Sequence, residues 1–156
     1  MSTSGPFCIL QGELFIGYQD SDLSPLSRTA HGITHIICVC LQSIPESVLR
    51  ARYRCMRIPV EDSEAANMLP WFQDAVKFID DAIQSGGTVL VHSDDGITLS
   101  RGASVVAAYL IYASRMNVTD ALHTVRLVNH YTATRHVFFE QLLYYSVYLD
   151  RYQLHA

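Results

Sequence analysis

The sequence predicts an α/β fold, a single domain with a central, mostly parallel sheet flanked by helices on both sides. Three observations carry this. Short β-branched runs fill the first half, and helical periodicity takes over from residue 69. Between two helical stretches lies the continuous apolar run Thr88-Val89-Leu90-Val91-His92, the pattern of a strand buried on both faces. At 156 residues the chain has the length of one domain, and 49% apolar against 17% charged residues is far from a disordered composition.

Taken in order, Leu14 to Gly17, Ile33 to Cys40 and Cys55 to Val60 each have strand length and β-branched content. Between Ser21 and Gly32, the spacing of Leu23, Leu26 and Ala30 predicts a short helix, with Gly32 suited to its C-terminus. Phe72, Val76, Ile79 and Ile83 recur at four, three and four residues, the stripe of an amphipathic helix that Ser85-Gly86-Gly87 ends. Thr88 to His92 is then a central strand. Ser104 to Ile111 is apolar nearly all round, as a helix enclosed in the domain is. One further helix from about Thr119 aligns Ala121, Leu122, Val125 and Val128, and a last one carries Phe138, Leu142, Tyr145, Leu149 and Tyr152. The domain is expected over residues 8–152, with residues 1–7 a flexible N-terminus. Tyr144, Tyr145 and Tyr148 read as half-buried packing, a partner surface or modification site being the alternative.

Composition excludes several classes. The formal net charge is −4 with scattered basic residues, which argues against nucleic acid and anionic membrane as partners. The longest apolar stretch, Ala103 to Ala113 interrupted by Ser104, is short of the roughly 18 residues of a membrane span. Met1 to Pro6 has neither the basic start nor the apolar block of a secretory signal, so an intracellular location, cytoplasm or nucleus, is expected. Cys8, Cys38, Cys40 and Cys55 form no CxxC pair and read as packing residues. No metal or cofactor is implied: His31 and His35 straddle the start of a strand rather than sharing one helix face.

The informative segment is Val89 to Ala103. A buried strand runs through a short loop into a buried helix, so loop amides and the helix N-terminus converge at the strand's C-terminal end, a geometry that favours an anion. With an arginine beside it, such a loop suits a phosphate dianion held by backbone donors and a bidentate guanidinium.

Val91-His92-Ser93, Gly96-Ile97, Ser100-Arg101 and Val105 to Leu110 resemble the HCxxGxSRS loop and following buried helix of dual-specificity protein phosphatases. Ile58 to Asp62 resembles the general-acid segment of that family, and Trp71 to Ala75 with Phe78 to Asp80 the helix after it. His31 to Cys38 resembles its early strand and Phe138 to Leu143 its last helix. The resemblance implies a protein tyrosine phosphatase-like fold over about residues 8–150. It places Ser93 at the nucleophile's position, Asp62 at that of the general acid and Arg101 at that of the phosphate-gripping arginine. The phosphate loop is then Ser93, Asp94, Asp95, Gly96, Ile97, Thr98, Leu99, Ser100 and Arg101.

The loop departs from the family at the points where the chemistry happens. A serine replaces the cysteine whose thiolate attacks phosphorus, and its hydroxyl starts several pKa units higher with no base in reach. His92, its neighbour along the strand, points to the opposite face. Counted without gaps from Ser93, Leu99 takes the arginine's place and Ser100 keeps the hydroxyl that assists the thiolate. Aligned on the helix, Arg101 is the arginine, the loop is two residues longer, and Gly102 replaces that hydroxyl. Helix packing constrains register more than loop length does and favours the second. Asp94 and Asp95 add negative charge where a phosphate would sit, a large penalty if they face inward and a small one if they face solvent. Thr134-Arg135-His136 replaces the proline-asparagine segment ahead of the last helix. The bland alternatives are an ordinary loop carboxylate for Asp62 and an inert strand-to-helix turn capped by Ser100.

The sequence thus points to a pseudophosphatase similar to the serine/threonine/tyrosine-interacting (STYX) branch, which lacks the nucleophilic cysteine. That resemblance implies binding of protein partners, phosphorylated or not and MAP kinase-like, and modulation of kinase and phosphatase signalling. The alternative is an active protein tyrosine/serine/threonine phosphatase captured as a Cys-to-Ser trapping variant, which would leave the rest of the loop intact. A serine hydrolase would need a base or a GxSxG elbow, and the sequence offers neither.

Overall fold

The computed structural model describes residues 5–50 and 53–156, apart from the side chains of residues 26, 47 and 50. Its strands are β1 (Phe7–Leu10), β2 (Leu14–Gly17), β3 (His35–Val39), β4 (Arg54–Ile58) and β5 (Val89–Ser93), joined in the order β1-β2-β5-β3-β4. β2, β5, β3 and β4 run parallel, and β1 lies antiparallel on the edge. β5, buried throughout, is central: Val91 stands opposite Ile16 on one side and Ile37 on the other.

The period-two alternation of β3 splits the core between the two faces of the sheet. Ile37 and Val39 join the larger cluster, under α3 (Leu69–Gln84), α4 (Ser100–Ser114), α5 (Val118–Val128) and α6 (His136–Tyr152). Ile36 and Cys38 join the smaller one with Phe15, Leu23 and Leu90, on the side of α1 (Pro25–His31) and α2 (Glu46–Arg50), which contributes Val48. A parallel sheet needs both faces covered, and the split supplies that. α4 packs against α3, α5, α6, β2 and β5, which explains why its residues are apolar on every side. With the turn before it, Gly96–Ser114 is long and apolar enough by composition to cross a membrane, against the expectation that no stretch is; it is the core helix, mostly buried inside the domain.

Local chemistry sets the ends. Ser24 accepts from Ser27 N at 3.1 Å with Pro25 in the first turn of α1, and Gly32 closes that helix at φ 67°, a left-handed conformation that glycine adopts without steric cost. α3 begins without a side-chain cap of its own; Met68 N donates instead to Gln141 of α6 at 2.8 Å.

Several expectations are revised. β1 and α2, four and five residues long, have too little periodicity to read in advance. Residues 1–4 of the expected N-terminal segment lie outside the described residues, while Phe7, expected within it, is buried and pairs with Ile16. The chain past residue 152 also packs, since Ala156 N donates to Tyr112 O at 3.1 Å. All four cysteines are free, and Cys38 is buried with Cys8, Cys40 and Cys55 packed around its cluster. The tyrosine stretch divides: Tyr145 is buried, but Tyr144 and Tyr148 face solvent.

Candidate active site

Ser93 is the last residue of β5, fully buried, and α4 starts at Ser100. The extra length between them is taken up by a single 3-10 turn, Gly96–Thr98, entered at Gly96 with φ 75° and left at Leu99 with φ 50°. A left-handed leucine is a strained choice, of order 1–3 kcal/mol, and it is held because the Leu99 side chain is fully buried in the larger core cluster. That anchor turns Leu99 away from the loop's centre and brings Arg101 into it.

Arg101 is nearly completely buried, its side chain 4% exposed, and its partners are all from the chain itself. Its backbone N–H donates to Asp95 Oδ2 at 2.7 Å and its Nε to Asp95 Oδ1. Nη2 donates to Asp94 Oδ1, and Nη1 to the carbonyl of Val60 at 2.8 Å. Ser93 Oγ donates to the same Asp95 Oδ2 at 2.9 Å. The Asp95 carboxylate is 0% exposed, whereas Asp94 is 43% exposed. Burial works against the Arg101 charge, but Asp95 and Asp94 outweigh it and hold its pKa above the usual arginine value. The question of where the two aspartates face is thus answered inward for Asp95 and at the rim for Asp94.

A carboxylate is planar, acceptor-only and anionic, so it satisfies the donors that a phosphoryl group would otherwise engage. Here one carboxylate takes the Arg101 Nε–H, a backbone N–H of the first helical turn and the Ser93 hydroxyl. Gly102 completes the fit: a Cβ built there would stand 2.7 Å from Ser93 Oγ.

The remaining site residues fall around this knot. His92 Nε2 bonds the carbonyl of Gln19 at 2.9 Å, away from Ser93. Asp62, two residues beyond the Val60 carbonyl that Arg101 grips, accepts from Arg135 Nε at 2.7 Å, and Arg135 also reaches Glu64 at 3.5 Å. Ser100 does not cap α4; it lies inside the first turn with its hydroxyl buried and unpartnered, the helix being preceded by Leu99. Sequence reasoning missed Asn129, which follows α5, is buried, and donates from Nδ2 to the carbonyl of Ile97 at 2.7 Å. Ala133 N donates to the carbonyl of Thr98 at 3.0 Å, so the segment between α5 and α6 supports the loop without a proline-asparagine pair. The signal available was an asparagine at the end of a periodic stretch, which alone reads as a helix terminus.

Comparison with known proteins agrees with this architecture. The profile described as "Dual specificity phosphatase, catalytic domain" matches residues 14–147. Dual specificity protein phosphatase 2 of Homo sapiens is 37% identical over 144 residues, 91% of this chain and 44% of that protein. The serine/threonine/tyrosine-interacting protein of Homo sapiens is 36% identical over 124 residues, 76% of this chain and 54% of that protein. The chain therefore spans about half the length, or less, of these relatives. The crystal structure of the human tyrosine phosphatase-like serine/threonine/tyrosine-interacting protein superposes with a TM-score of 0.80 at 32% identity, covering 92% of this chain and 97% of that one. From residue 14 to residue 147, through β2 to β5, the loop from Ser93 to Arg101 and the helices around it, this chain belongs to the dual-specificity phosphatase family.

Proposed function

We propose that this chain is a pseudophosphatase, a dual-specificity phosphatase domain that binds protein partners without hydrolysing phosphate and so modulates kinase and phosphatase signalling. One observation carries the reading: the Asp95 carboxylate occupies the position between Arg101 and Ser93 that a phosphoryl group needs. Against the expectation that no base is in reach, Ser93 Oγ has the Asp95 carboxylate at 2.9 Å; that carboxylate, however, lies where the electrophile would have to bind, so base and substrate exclude each other. Asp62, the general-acid candidate, is held by Arg135 and has no leaving group to protonate. The relatives named serine/threonine/tyrosine-interacting proteins support a binding role, and family resemblance makes a MAP kinase-like protein, phosphorylated or not, the partner to try first.

The test is turnover of an aryl phosphate. The purified chain is expected to match a heat-treated control, and Ser93→Cys alone is expected to stay inactive because Asp95 still holds Arg101. Turnover by the unaltered chain, or full rescue by that single change, overturns the reading. The trapping-variant alternative predicts that rescue, since a trap differs from its parent at one atom.

A further inference from the structure

The α6 helix leaves part of its surface uncovered. Tyr144 is 70% exposed and Val147 62%, with Leu143 and Tyr148 exposed beside them, an apolar stripe on a helix whose opposite side, Phe138, Leu142, Tyr145 and Leu149, is buried. Large exposed apolar patches on a monomer mark contact surfaces. The stripe ends in opposite charges, exposed Glu140 toward the N-terminus and exposed Arg151 in the last turn. Glu140 already meets His136 at 2.9 Å within the helix and keeps 55% of its side chain in solvent.

From Glu140 to Tyr144, Val147 and Arg151 the steps are four, three and four residues. This is the seam spacing of paired helices, and it reads the same in both directions. Reversed about an axis between Tyr145 and Ser146, the stripe falls on itself: Glu140 opposite Arg151 of a second copy and Tyr144 opposite Val147, with Leu143 flanking the seam on one side and Tyr148 on the other. Each charge meets its opposite twice, and the apolar residues meet in the middle, the self-complementarity that a two-fold interface requires. A depression of about 400 Å³ lined by Glu140, Leu143, Tyr144 and Val147 offers room for the facing side chains. A parallel arrangement would set Glu140 against Glu140 and Arg151 against Arg151.

We propose that two copies of this chain associate through α6, antiparallel about a two-fold axis, with Glu140 and Arg151 exchanging ion pairs across a Tyr144–Val147 seam. A contact of two helices lies at the small end of specific interfaces, below about 1,200 Å² in total, so association belongs to the micromolar range. The surface is separate from the phosphate loop and does not depend on the function proposed for it.

Sedimentation velocity from low to several hundred micromolar tests this. The weight-average mass is expected to rise with concentration from 17.5 kDa toward twice that value. Val147→Glu is expected to stay monomeric throughout. Glu140→Arg and Arg151→Glu, each setting like charges together twice, are expected to weaken association by about tenfold or more. The double swap in one chain is expected to return it to near the unaltered value; a parallel pair, with like charges facing in every one of these chains, would show neither the loss on the single changes nor its recovery. All three positions are exposed, and thermal melts report whether the variants remain folded. A chain monomeric at every concentration, leaving the face to a different protein, overturns the proposal. So does a dimer indifferent to Val147→Glu, or a double swap no better than the single changes.

Discussion

Asp95 does with one side chain what a bound anion does in a phosphate loop. Because the Arg101 guanidinium is buried, removing that carboxylate leaves a charge only partly compensated by Asp94. Breaking a buried pair costs about 3–5 kcal/mol, and the surviving Asp94 contact puts Asp95→Ala at the lower end. Chemical denaturation in an oxyanion-free buffer should show that loss. Added tungstate or phosphate should restore much of it for Asp95→Ala and change little for the unaltered chain, since a ligand stabilises in proportion to its preference for the folded site. Gly102 makes a second prediction at this scale. A serine there needs space that Ser93 Oγ occupies, so Ser93 must rotate and give up its bond to Asp95. Gly102→Ser is expected to destabilise by about 1–2 kcal/mol, read as a lower melting temperature, through a lost buried hydrogen bond.

Among the elements, the phosphate loop is held from two sides that differ in how far they could be read in advance. The strand and helix on either side, β5 and α4, were legible because their continuous apolar runs speak directly of burial. Placing α4 against the larger cluster also favours Arg101 over Leu99 in the loop. The start of that helix was read four residues late, since Ser100, Arg101 and Gly102 carry no apolar signal although all three are buried. Asn129 and Arg135 were beyond reach, because their roles exist only when the segment between α5 and α6 folds over residues 97 and 98. Asn129→Ala leaves the Ile97 carbonyl without its 2.7 Å donor. The expected result is faster amide exchange over residues 96–101, with α3 unchanged, and a stability loss of about 1–3 kcal/mol.

For the molecule as a whole, the mostly parallel sheet with helices on both faces follows from general rules on parallel strands, and the sequence pattern was enough to reach it; the strand order comes from the structure alone. β1 adds an antiparallel edge too short to register as a pattern. The core also fixes how the fold responds to alkali. Burial, with Cys40 and Cys55 adding, pushes the Cys38 thiol up to about 12 from an ordinary value near 9, and burial with Asp80 pushes Tyr109 up to about 12 from near 10. In the unfolded chain both ionise earlier, so folding is favoured while the groups stay neutral. That stability is complete below about pH 9 and is lost as pH climbs toward 12. The expected slope is at least about 1.4 kcal/mol per pH unit once Cys38 is engaged, with Cys40 and Cys55 adding to it, and steepens above pH 10, where Tyr109 and Tyr145, the latter also pushed up by burial, both join. Urea midpoints from pH 8 to pH 11 check it, and Cys38→Ala should make the decline between pH 9 and pH 10 shallower.

The Asp95 carboxylate is tethered six residues from the arginine it satisfies. A tethered ligand acts at an effective concentration of roughly millimolar or higher, whatever the surrounding solution contains. Free phosphate, nucleotides and metabolite esters therefore compete poorly for this pocket, and the rim around it keeps one shape as their levels change.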